Sequence, residues 1–392
     1  MRFIPVYEDL SSDKLLKRCE GGRMQNNKSL NSVIWSITPK TTSVINRVDG
    51  VQPTLPRMMD HEQISAKDVE HDILCLCYTE TYDFLVAGLT NGSVKLYKTN
   101  SEDVLTLCDT EMMQKPSPTT AIKHRPVRRS YPITRTVTAT YANGCVKCWH
   151  YPTSQCLYTI REKRQVLGLA YHSHLPKFVT LGDDARLVLY DEETKMQERG
   201  IHASESLEVM DGHKSRVFSA CFNPKSAHEL ISAGWDNTIQ FWDTRQPYAL
   251  RHILTFYLGI RRNGDLLTNN FYQQILSCAW QRENPIQLWD YGSGKLLVSL
   301  EPDSYSSLLY CGKYVSNMFL ACGGTDVNLF RVVDLRSHAT LAMIRNVSGG
   351  TYSLDTGLVN PKHAKKTRTI SVVPQLAFCA GRQIFEIDAQ PS

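Results

Sequence analysis

The sequence lacks any long apolar stretch, because its strongest apolar runs, at residues 73–78 and 318–322, have only the length of a β-strand. A membrane-spanning helix needs about 20 consecutive apolar residues. A secretory signal needs an apolar core of about 7–15 residues near the amino terminus, and residues 1–10 contain none. We therefore expect neither membrane insertion nor secretion.

The 12 cysteines form neither a disulfide framework nor a set of metal ligands. They are scattered through strand-like segments, whereas small secreted domains space them as a framework. Cys145-x-x-Cys148 with His150 suggests half of a zinc site, but residues three apart in a strand point to opposite faces, and no second pair follows. The pattern predicts no metal, no cofactor, and a reducing location in the cytoplasm or the nucleus.

Neither sign of charge strongly predominates, since 44 Lys and Arg against 39 Asp and Glu give a formal net charge of +5 that is spread along the chain. Local exceptions are the basic segments 123–129 and 362–368. Either could attract an acidic protein, nucleic acid or an import receptor. Neither has interleaved aromatic residues for base stacking, so we interpret both as solvated loops and expect no nucleic-acid partner.

Catalytic motifs are missing as well. Gly292-Ser293-Gly294-Lys295 resembles part of a phosphate-binding loop, but Trp289 replaces the preceding glycine and Leu296 replaces the hydroxyl that would hold magnesium. It is better explained as a turn between strands. No segment combines a nucleophile, a base and an orienting group, so we predict a protein that is not an enzyme.

One segment, residues 211–245, contains three short apolar runs separated by turns. Gly212-His213 precedes the run at 217–222, and the turn Trp235-Asp236-Asn237 lies between the second run and a third that ends in Trp242-Asp243. This spacing is typical of short paired strands. The segment resembles a repeat of the WD-repeat β-propeller family.

The resemblance implies a hydrogen-bonded chain through a loop histidine, a strand hydroxyl and a turn aspartate. The matching residues are His213, Ser232, Asp236 and Trp242. Such a network would pin the turn and satisfy buried donors, so we interpret it as structural. A hydrolytic triad of the first three residues is the alternative, but Ser232 lies within an apolar strand and not on an exposed elbow.

Six other segments share the spacing of a branched apolar residue three positions before a large apolar residue. These anchors recur at intervals of 41 to 57 residues, which is the length of a four-stranded propeller blade with variable loops. The seven anchors are Tyr97, Trp149, Tyr190, Trp242, Trp289, Phe330 and Ile387. They predict an all-β, seven-bladed WD-repeat propeller over residues 31–388, although residues 33–48 could hold two strands of an eighth blade.

The last anchor, Ile387, is followed by five residues, so the last blade needs an outer strand from elsewhere if no sheet edge is to stay open. The alternating segment 32–38 is the candidate, closing the ring as in other members of the family. Residues 1–30 would then be a polar amino-terminal tail, with the composition for a short helix at 13–19.

In the family that this sequence resembles, the loops before the first strand and between the second and third strands gather on one rim. Trp235 falls in such a turn, and a large aromatic residue on a rigid turn is a good anchor for a partner. The candidate partner-binding rim comprises Trp235, Lys214, Arg216, Arg282 and Asp183. We expect a monomeric scaffold that binds other proteins, with an acidic or aromatic peptide near Trp235 and Arg282. The alternative is that Trp235 packs over the neighbouring blade.

A second resemblance covers residues 230–245, which are similar to the box in substrate receptors of cullin-RING ubiquitin ligases. In such receptors the residues matching Asp243 and Arg245 contact the adaptor of the ligase. Arg245 is the residue that most distinguishes this box from an ordinary repeat. A ubiquitin-ligase substrate receptor is therefore the alternative function.

Overall fold

The computed structural model describes residues 64–99, 101–126, 133–206, 209–254, 274–357 and 374–387. These residues form 27 β-strands and one short helix. Within these ranges no helix is long and apolar enough to cross a membrane. The expected tail at 1–30 and the basic segment 362–368 lie outside the described residues.

The strands form seven antiparallel sheets, numbered here as blades 1 to 7 along the chain. The first strand in the chain, β1 (Ile64–Asp68), belongs to blade 7. Blade 1 contains β2–β5, which are Ile73–Tyr78, Phe84–Leu89, Val94–Lys98 and Val104–Leu107. Blade 2 contains β6–β9, which are Thr119–His124, Thr136–Tyr141, Cys145–His150 and Gln155–Arg161. Blade 3 contains β10–β13, which are Val166–Tyr171, Lys177–Gly182, Leu187–Asp191 and Gln197–Ile201.

Blades 4 and 6 repeat the same four-stranded arrangement, and three strands of blade 5 are described. Blade 4 contains β14–β17, which are Val217–Phe222, Glu229–Gly234, Thr238–Asp243 and Ala249–Leu254. Blade 5 contains β18–β20, which are Gln274–Cys278, Ile286–Asp290 and Leu296–Leu300. Blade 6 contains β21–β24, which are Leu308–Tyr314, Phe319–Thr325, Leu329–Asp334 and Thr340–Arg345. The helix, α1 (Thr110–Gln114), connects blades 1 and 2 and is capped by Asp109, which accepts a hydrogen bond from the backbone of Met112.

Blade 7 is built from both ends of the described chain. Its strands run in the order β25 (Ser353–Thr356), β26 (Leu376–Ala380), β27 (Gln383–Ile387) and β1. Ile64 of β1 lies opposite Ile387 of β27. An amino-terminal strand therefore completes the last blade, and the edge of β27 is covered.

The segment that closes the ring is β1, so its assignment to residues 32–38 is wrong; those residues lie outside the described ranges. The error has a physical reason. Segment 32–38 alternates more clearly, but an outer strand faces solvent and does not need a strong apolar pattern. The outer strand of blade 3, Gln197–Ile201, shows this, because it is mostly exposed and polar.

Seven apolar clusters fill the seven interfaces between neighbouring blades. The cluster between blades 3 and 4 brings Leu189 together with Val217 and Trp242. The cluster between blades 7 and 1 joins Ile384 to Ile73. Seven interfaces close a ring of seven blades, so the described residues form the expected seven-bladed propeller and the eight-bladed alternative is not needed.

Each of the seven anchors lies in the strand next to the outermost strand of its blade, but the register of blade 6 differs from the expected one. In blade 4, Trp242 pairs with Leu230. The equivalent position in blade 6 is Val333, which pairs with Leu320. Phe330 therefore lies three residues before the anchor position.

A buried ion pair links the innermost strands of blades 6, 7 and 1. The Lys313 ammonium of β21 donates to the Asp355 carboxylate of β25, and the two side chains are only 7% and 13% exposed. Asp355 also accepts a hydrogen bond of 2.8 Å from the backbone nitrogen of Tyr78 in β2. One carboxylate thus joins three blades at the place where the ring closes.

We expected the basic segment 123–129 to be a solvated loop, but its described part is a strand end followed by a buried arginine. Lys123 and His124 belong to β6. Arg125 is buried and forms an ion pair of 2.9 Å with the fully buried Glu192 of blade 3. Because these two residues are 67 positions apart in the chain, the local sequence gave no sign of the pair. Residues 127–129 lie outside the described part of the chain.

Candidate interaction surface on blade 4

A chain of hydrogen bonds crosses the interior of blade 4. The Trp242 indole donates to the Ser232 hydroxyl oxygen at 2.7 Å, and that oxygen lies 2.7 Å from His213 Nε2. His213 Nδ1 lies 2.9 Å from the Asp236 carboxylate. The structure thus brings together the four residues that the resemblance pointed to, and the chain links the loop before β14 to the turn between β15 and β16.

The Ser232 hydroxyl is not placed for nucleophilic attack. Ser232 is buried, and its oxygen already accepts the indole proton of Trp242. A substrate could reach it only if the blade opened. Within the described ranges, no group of three or more His, Cys, Asp or Glu side chains is placed to hold a metal ion.

The Asp236 carboxylate holds the turn that carries Trp235. It accepts hydrogen bonds from the backbone nitrogens of Lys214 at 2.8 Å and Thr238 at 3.2 Å, and from the Thr238 hydroxyl at 2.8 Å. Burial acts to raise the pKa of Asp236, but the hydrogen bonds, chiefly that of His213, outweigh it and hold the pKa below its usual value. The turn is therefore anchored by an ionised carboxylate.

The two loops of blade 4 meet through their backbones. The Trp235 nitrogen donates to the Arg216 carbonyl at 2.9 Å. A Cβ atom at Gly234 would lie 2.4 Å from that carbonyl oxygen, so only glycine allows this approach. The positions of residues 216 and 235 are consequently fixed relative to each other.

Trp235 lies on this fixed backbone with 41% of its surface exposed. Its ring packs against Phe218, with 5.2 Å between ring centres. The Arg216 guanidinium carbon lies 5.2 Å from the centre of the Trp235 ring, within the range of a cation–π contact. Lys214, Arg216, Phe218 and Trp235 together are called the blade 4 surface below.

Phe218 reaches this surface because β14 is irregular at that residue. Val217 pairs with Gly234 and Ser219 with Ala233, which leaves Phe218 between two ladder positions. A bulge of this kind redirects a side chain. The innermost strands of blades 1, 2, 3 and 6 are irregular at the same place, and the residues between the shifted pairs there are Leu74, Thr120, Leu167 and Tyr310.

Two expected members of the rim, Arg282 and Asp183, contact residues outside blade 4. Arg282 forms an exposed ion pair of 3.0 Å with Asp326 of blade 6. The Asp183 carboxylate accepts a hydrogen bond of 3.0 Å from the backbone nitrogen of Gln165. None of the described contacts joins either residue to Trp235, so they are not part of the blade 4 surface.

Asp243 and Arg245 lie at the other end of β16 from Trp235. The Arg245 side chain donates to both carboxylate oxygens of Asp243, the shortest distance being 2.6 Å. Hydrogen bonds from Arg245 lower the pKa of Asp243 to about 2. The Arg245 side chain is 66% exposed and Asp243 is mostly covered. Asp334 and Arg336 of blade 6 repeat this spacing, and the backbone nitrogen of Arg336 donates to the Asp334 carboxylate at 2.9 Å.

The remaining motifs occupy ordinary places in the sheets. Cys145 and Cys148 lie in β8 and are buried, and His150 bonds to the Thr153 hydroxyl at 2.7 Å. In the turn after β19, Ser293 donates to the Asp290 carboxylate. The glycine-containing segment is thus a turn between strands, as interpreted from the sequence.

Comparison with known proteins supports this architecture. A family model described as "WD domain, G-beta repeat" matches residues 204–243, which include most of blade 4. A chain in the crystal structure of the mitotic checkpoint complex superposes with a TM-score of 0.66 and covers 90% of this chain and 99% of its own length. At 13% identity that likeness concerns the fold alone. The matched repeat and the seven blades identify the chain as a WD-repeat β-propeller.

Similar curated proteins share shorter stretches. Histone acetyltransferase type B subunit 2 of Kluyveromyces lactis is 25% identical over 177 residues, which are 45% of this chain and 41% of the relative. Ribosome biogenesis protein ytm1 of Pyrenophora tritici-repentis is 33% identical over 100 residues, which are 26% of this chain and 20% of the relative. The matched region is therefore less than half the length of each relative.

Sequence reasoning missed Phe218 as part of the surface, and it missed Gly234 as the residue that lets the two loops meet. The signal for Gly234 was present, because a glycine directly before the turn residue permits close backbone approach. Phe218 gave none, since it reads as one more apolar residue in a strand. Its direction depends on the bulge, which is visible only when the pairing of β14 with β15 is known.

Proposed function

We propose that this propeller is a non-enzymatic scaffold that binds protein partners through the blade 4 surface. The observation that carries the proposal is the exposed Trp235 ring on a turn pinned by Asp236. Buried tryptophan and arginine contacts dominate the energy of many protein interfaces. A ring that is already held in place loses little conformational entropy on binding.

The comparisons are compatible with a scaffold. The relatives named above are described as a subunit of an acetyltransferase and as a ribosome biogenesis protein. We carry over from them only the expectation of assembly with other proteins. A monomeric propeller in the cytoplasm or the nucleus remains our proposal for its state and location.

The test is affinity purification of the tagged full-length protein from its own cells, with identification of the co-purified proteins. Trp235→Ala should remove specific partners while leaving thermal unfolding unchanged. Tyr248→Ala is the matched control, because Tyr248 is 44% exposed and contacts His202 instead of the blade 4 surface. Equal losses with both variants, or none with Trp235→Ala, would contradict the proposal.

The second candidate is a substrate receptor of a cullin-RING ubiquitin ligase. It is favoured by one observation, the exposed Arg245 guanidinium held on Asp243 at the end of the blade opposite Trp235. Neither relative named above is described as a ligase component. In the same purification, Arg245→Ala should remove the ligase adaptor and the cullin. Arg336→Ala is the control and should not remove them, although Arg336 lies two residues after Asp334 in blade 6 just as Arg245 follows Asp243.

A further inference from the structure

A cleft of about 200 Å³ opens to solvent beside α1 and is called the blade 2 cleft below. Lys115 and Ser117 line it from the loop before β6, and Tyr141, Asn143 and Lys147 line it from blade 2 itself. Pockets for whole small molecules usually measure about 300–1,000 Å³. The blade 2 cleft is therefore of a size to take one functional group and not an entire metabolite.

The acidic side chains at this cleft are already engaged. The Lys147 ammonium, which is 2% exposed, donates to the carboxylates of both Asp109 and Glu111. Arg161 donates to the second oxygen of Glu111 at 2.8 Å, and the backbone of Met112 donates to the second oxygen of Asp109 at 2.9 Å. The hydrogen bond from Lys147 is the main cause that lowers the pKa of Glu111. Each of the four carboxylate oxygens thus has a donor of its own.

Several hydrogen-bond donors at the same cleft remain unused. Tyr141 is 1% exposed, and its hydroxyl proton has no acceptor among the described residues. The Ser117 oxygen accepts from the Asn143 backbone at 3.0 Å, but no described group takes the Ser117 proton. The Asn143 side chain accepts through its oxygen, and its amide protons have no acceptor in the described part of the chain. Lys115 is exposed, and its ammonium contacts no described acidic group.

This combination of used acceptors and unused donors favours an anionic ligand with oxygen acceptors. The charged side chains at and next to the cleft are Lys115, Lys147 and Arg161 against Asp109 and Glu111, so their formal charge is +1. A carboxylate neutralises that charge, and its roughly four lone-pair sites match four unused donor groups. A phosphate monoester carries about −1.5 to −2 and would leave a negative charge beside two carboxylates.

We propose that the blade 2 cleft binds the carboxylate of an aspartate or glutamate side chain of a protein partner. The hydroxyls of Tyr141 and Ser117 and the amide of Asn143 donate to the carboxylate inside the cleft, and Lys115 approaches it from the solvent side. The inference goes beyond the proposed function, because it uses no residue of the blade 4 surface.

A protein side chain suits this cleft better than nucleic acid does. A carboxylate stands at the end of its side chain and can enter a small cleft end-on. A phosphodiester also carries one negative charge, but it has a sugar on either side. Proteins that bind single strands add aromatic rings on which the bases stack, and the residues that line the cleft include one aromatic side chain, the buried Tyr141.

The experiment selects peptides from a random library displayed on phage, with the full-length chain and its Tyr141→Phe variant as parallel baits. Tyr141→Phe removes only a hydroxyl whose proton has no described acceptor, so thermal unfolding should stay unchanged. The matched control is Tyr158→Phe, because Tyr158 lies in β9 of the same blade and its buried hydroxyl is outside the cleft. Peptides that contain Asp or Glu should be enriched on wild type and on Tyr158→Phe, but not on Tyr141→Phe.

A selected peptide, made synthetically, then tests the individual contacts. It should bind about tenfold more weakly to Tyr141→Phe and to Lys115→Gln, the loss expected for one charge-assisted hydrogen bond. Replacing its acidic residue by the matching amide should weaken binding to wild type by at least about the same factor. Lys225→Gln is the control for Lys115→Gln, because Lys225 is an exposed lysine of blade 4 that does not line the cleft.

The outcomes separate this inference from the proposed scaffold function. Equal enrichment on wild type and Tyr141→Phe, including none on either, would overturn the inference. Tighter binding of a phosphoserine version of the peptide would assign the cleft to a phosphoryl group instead, and binding of a 12-nucleotide RNA that is lost with Tyr141→Phe would assign it to nucleic acid. Trp235→Ala should leave the peptide bound, whereas its loss would place the peptide on the blade 4 surface. The scaffold function is tested by the purification described above, so either proposal can fail without the other.

Discussion

The Asp355 carboxylate should be one of the most sensitive positions for stability, because it joins the innermost strands of three blades. Asp355→Asn keeps an oxygen that can accept from the Tyr78 nitrogen but removes the negative charge facing Lys313. Breaking a buried ion pair by changing one partner costs about 3–5 kcal/mol. Since one acceptor survives, we expect a loss of about 3 kcal/mol in the free energy of unfolding.

At about 2 °C per kcal/mol for a chain of this size, that loss lowers the Tm by about 6 °C. Scanning calorimetry at pH 7 measures it. Asp103→Asn is the control, because Asp103 pairs with Lys98 at 3.6 Å in a largely exposed position and should change stability by about 0.5 kcal/mol or less. A shift no larger than that of the control would refute the bridging role of Asp355.

The effect of Asp355→Asn should also depend on pH. Burial acts to raise the pKa of Asp355, but the nearby charges of Lys313 and Lys123 outweigh it and hold the pKa below its ordinary value. A lowered pKa contributes stability above the pKa of the unfolded chain, and that contribution is lost as pH falls through the folded pKa. The difference in Tm between wild type and Asp355→Asn should therefore be full at pH 7 and shrink below about pH 4.

Two further predictions concern the blades. Ser232→Ala should lower the free energy of unfolding by about 2–3 kcal/mol, because it leaves both Trp242 and His213 without their buried partner. In the same urea titration Ser277→Ala should cost less, because Ser277 of blade 5 bonds Trp289 at 2.9 Å. A larger loss for Ser277→Ala than for Ser232→Ala would contradict this prediction. Removal of residues 1–60 should preserve cooperative thermal unfolding, whereas removal of residues 1–68 takes away β1 and should cause aggregation through the uncovered edge of β27. Light scattering during heating distinguishes the two truncated chains. Identical behaviour of both would disprove that β1 protects the edge of β27.

The sequence predicted the parts of this fold that depend on local patterns. Trp242 and Trp149 stand out because apolar residues recur with the period of a strand beside turn residues. The hydrogen-bonded chain from His213 to Trp242 followed from the family resemblance, since its four residues fall at the matching positions of one repeat. Local periodicity does not fix register, however. In blade 6 the spacing predicts Phe330 as the anchor, but Val333 occupies that position.

The parts that could not be predicted depend on contacts between distant residues. Arg125 is buried in an ion pair with Glu192 of the next blade, and a run of basic residues gives no sign of such a partner. Asp355 appears ordinary in the sequence until β2 and β21 are placed beside it. On the candidate surface, Trp235 could be identified from its turn, but Phe218 required the bulge in β14.

The pairing of β1 with β27 has a consequence for synthesis of the chain. The two strands lie about 320 residues apart in the chain, and at roughly 5–20 residues per second the ribosome takes about 16–64 s to make that distance. During this time β1 has been made, but its partner strand does not yet exist. Nascent chains stalled before residue 383 should therefore show blades 1 to 4 protected from protease while β1 is still cleaved. One strand therefore stays unpaired for about 16–64 s, and we expect chaperones that bind extended segments to protect it during this time.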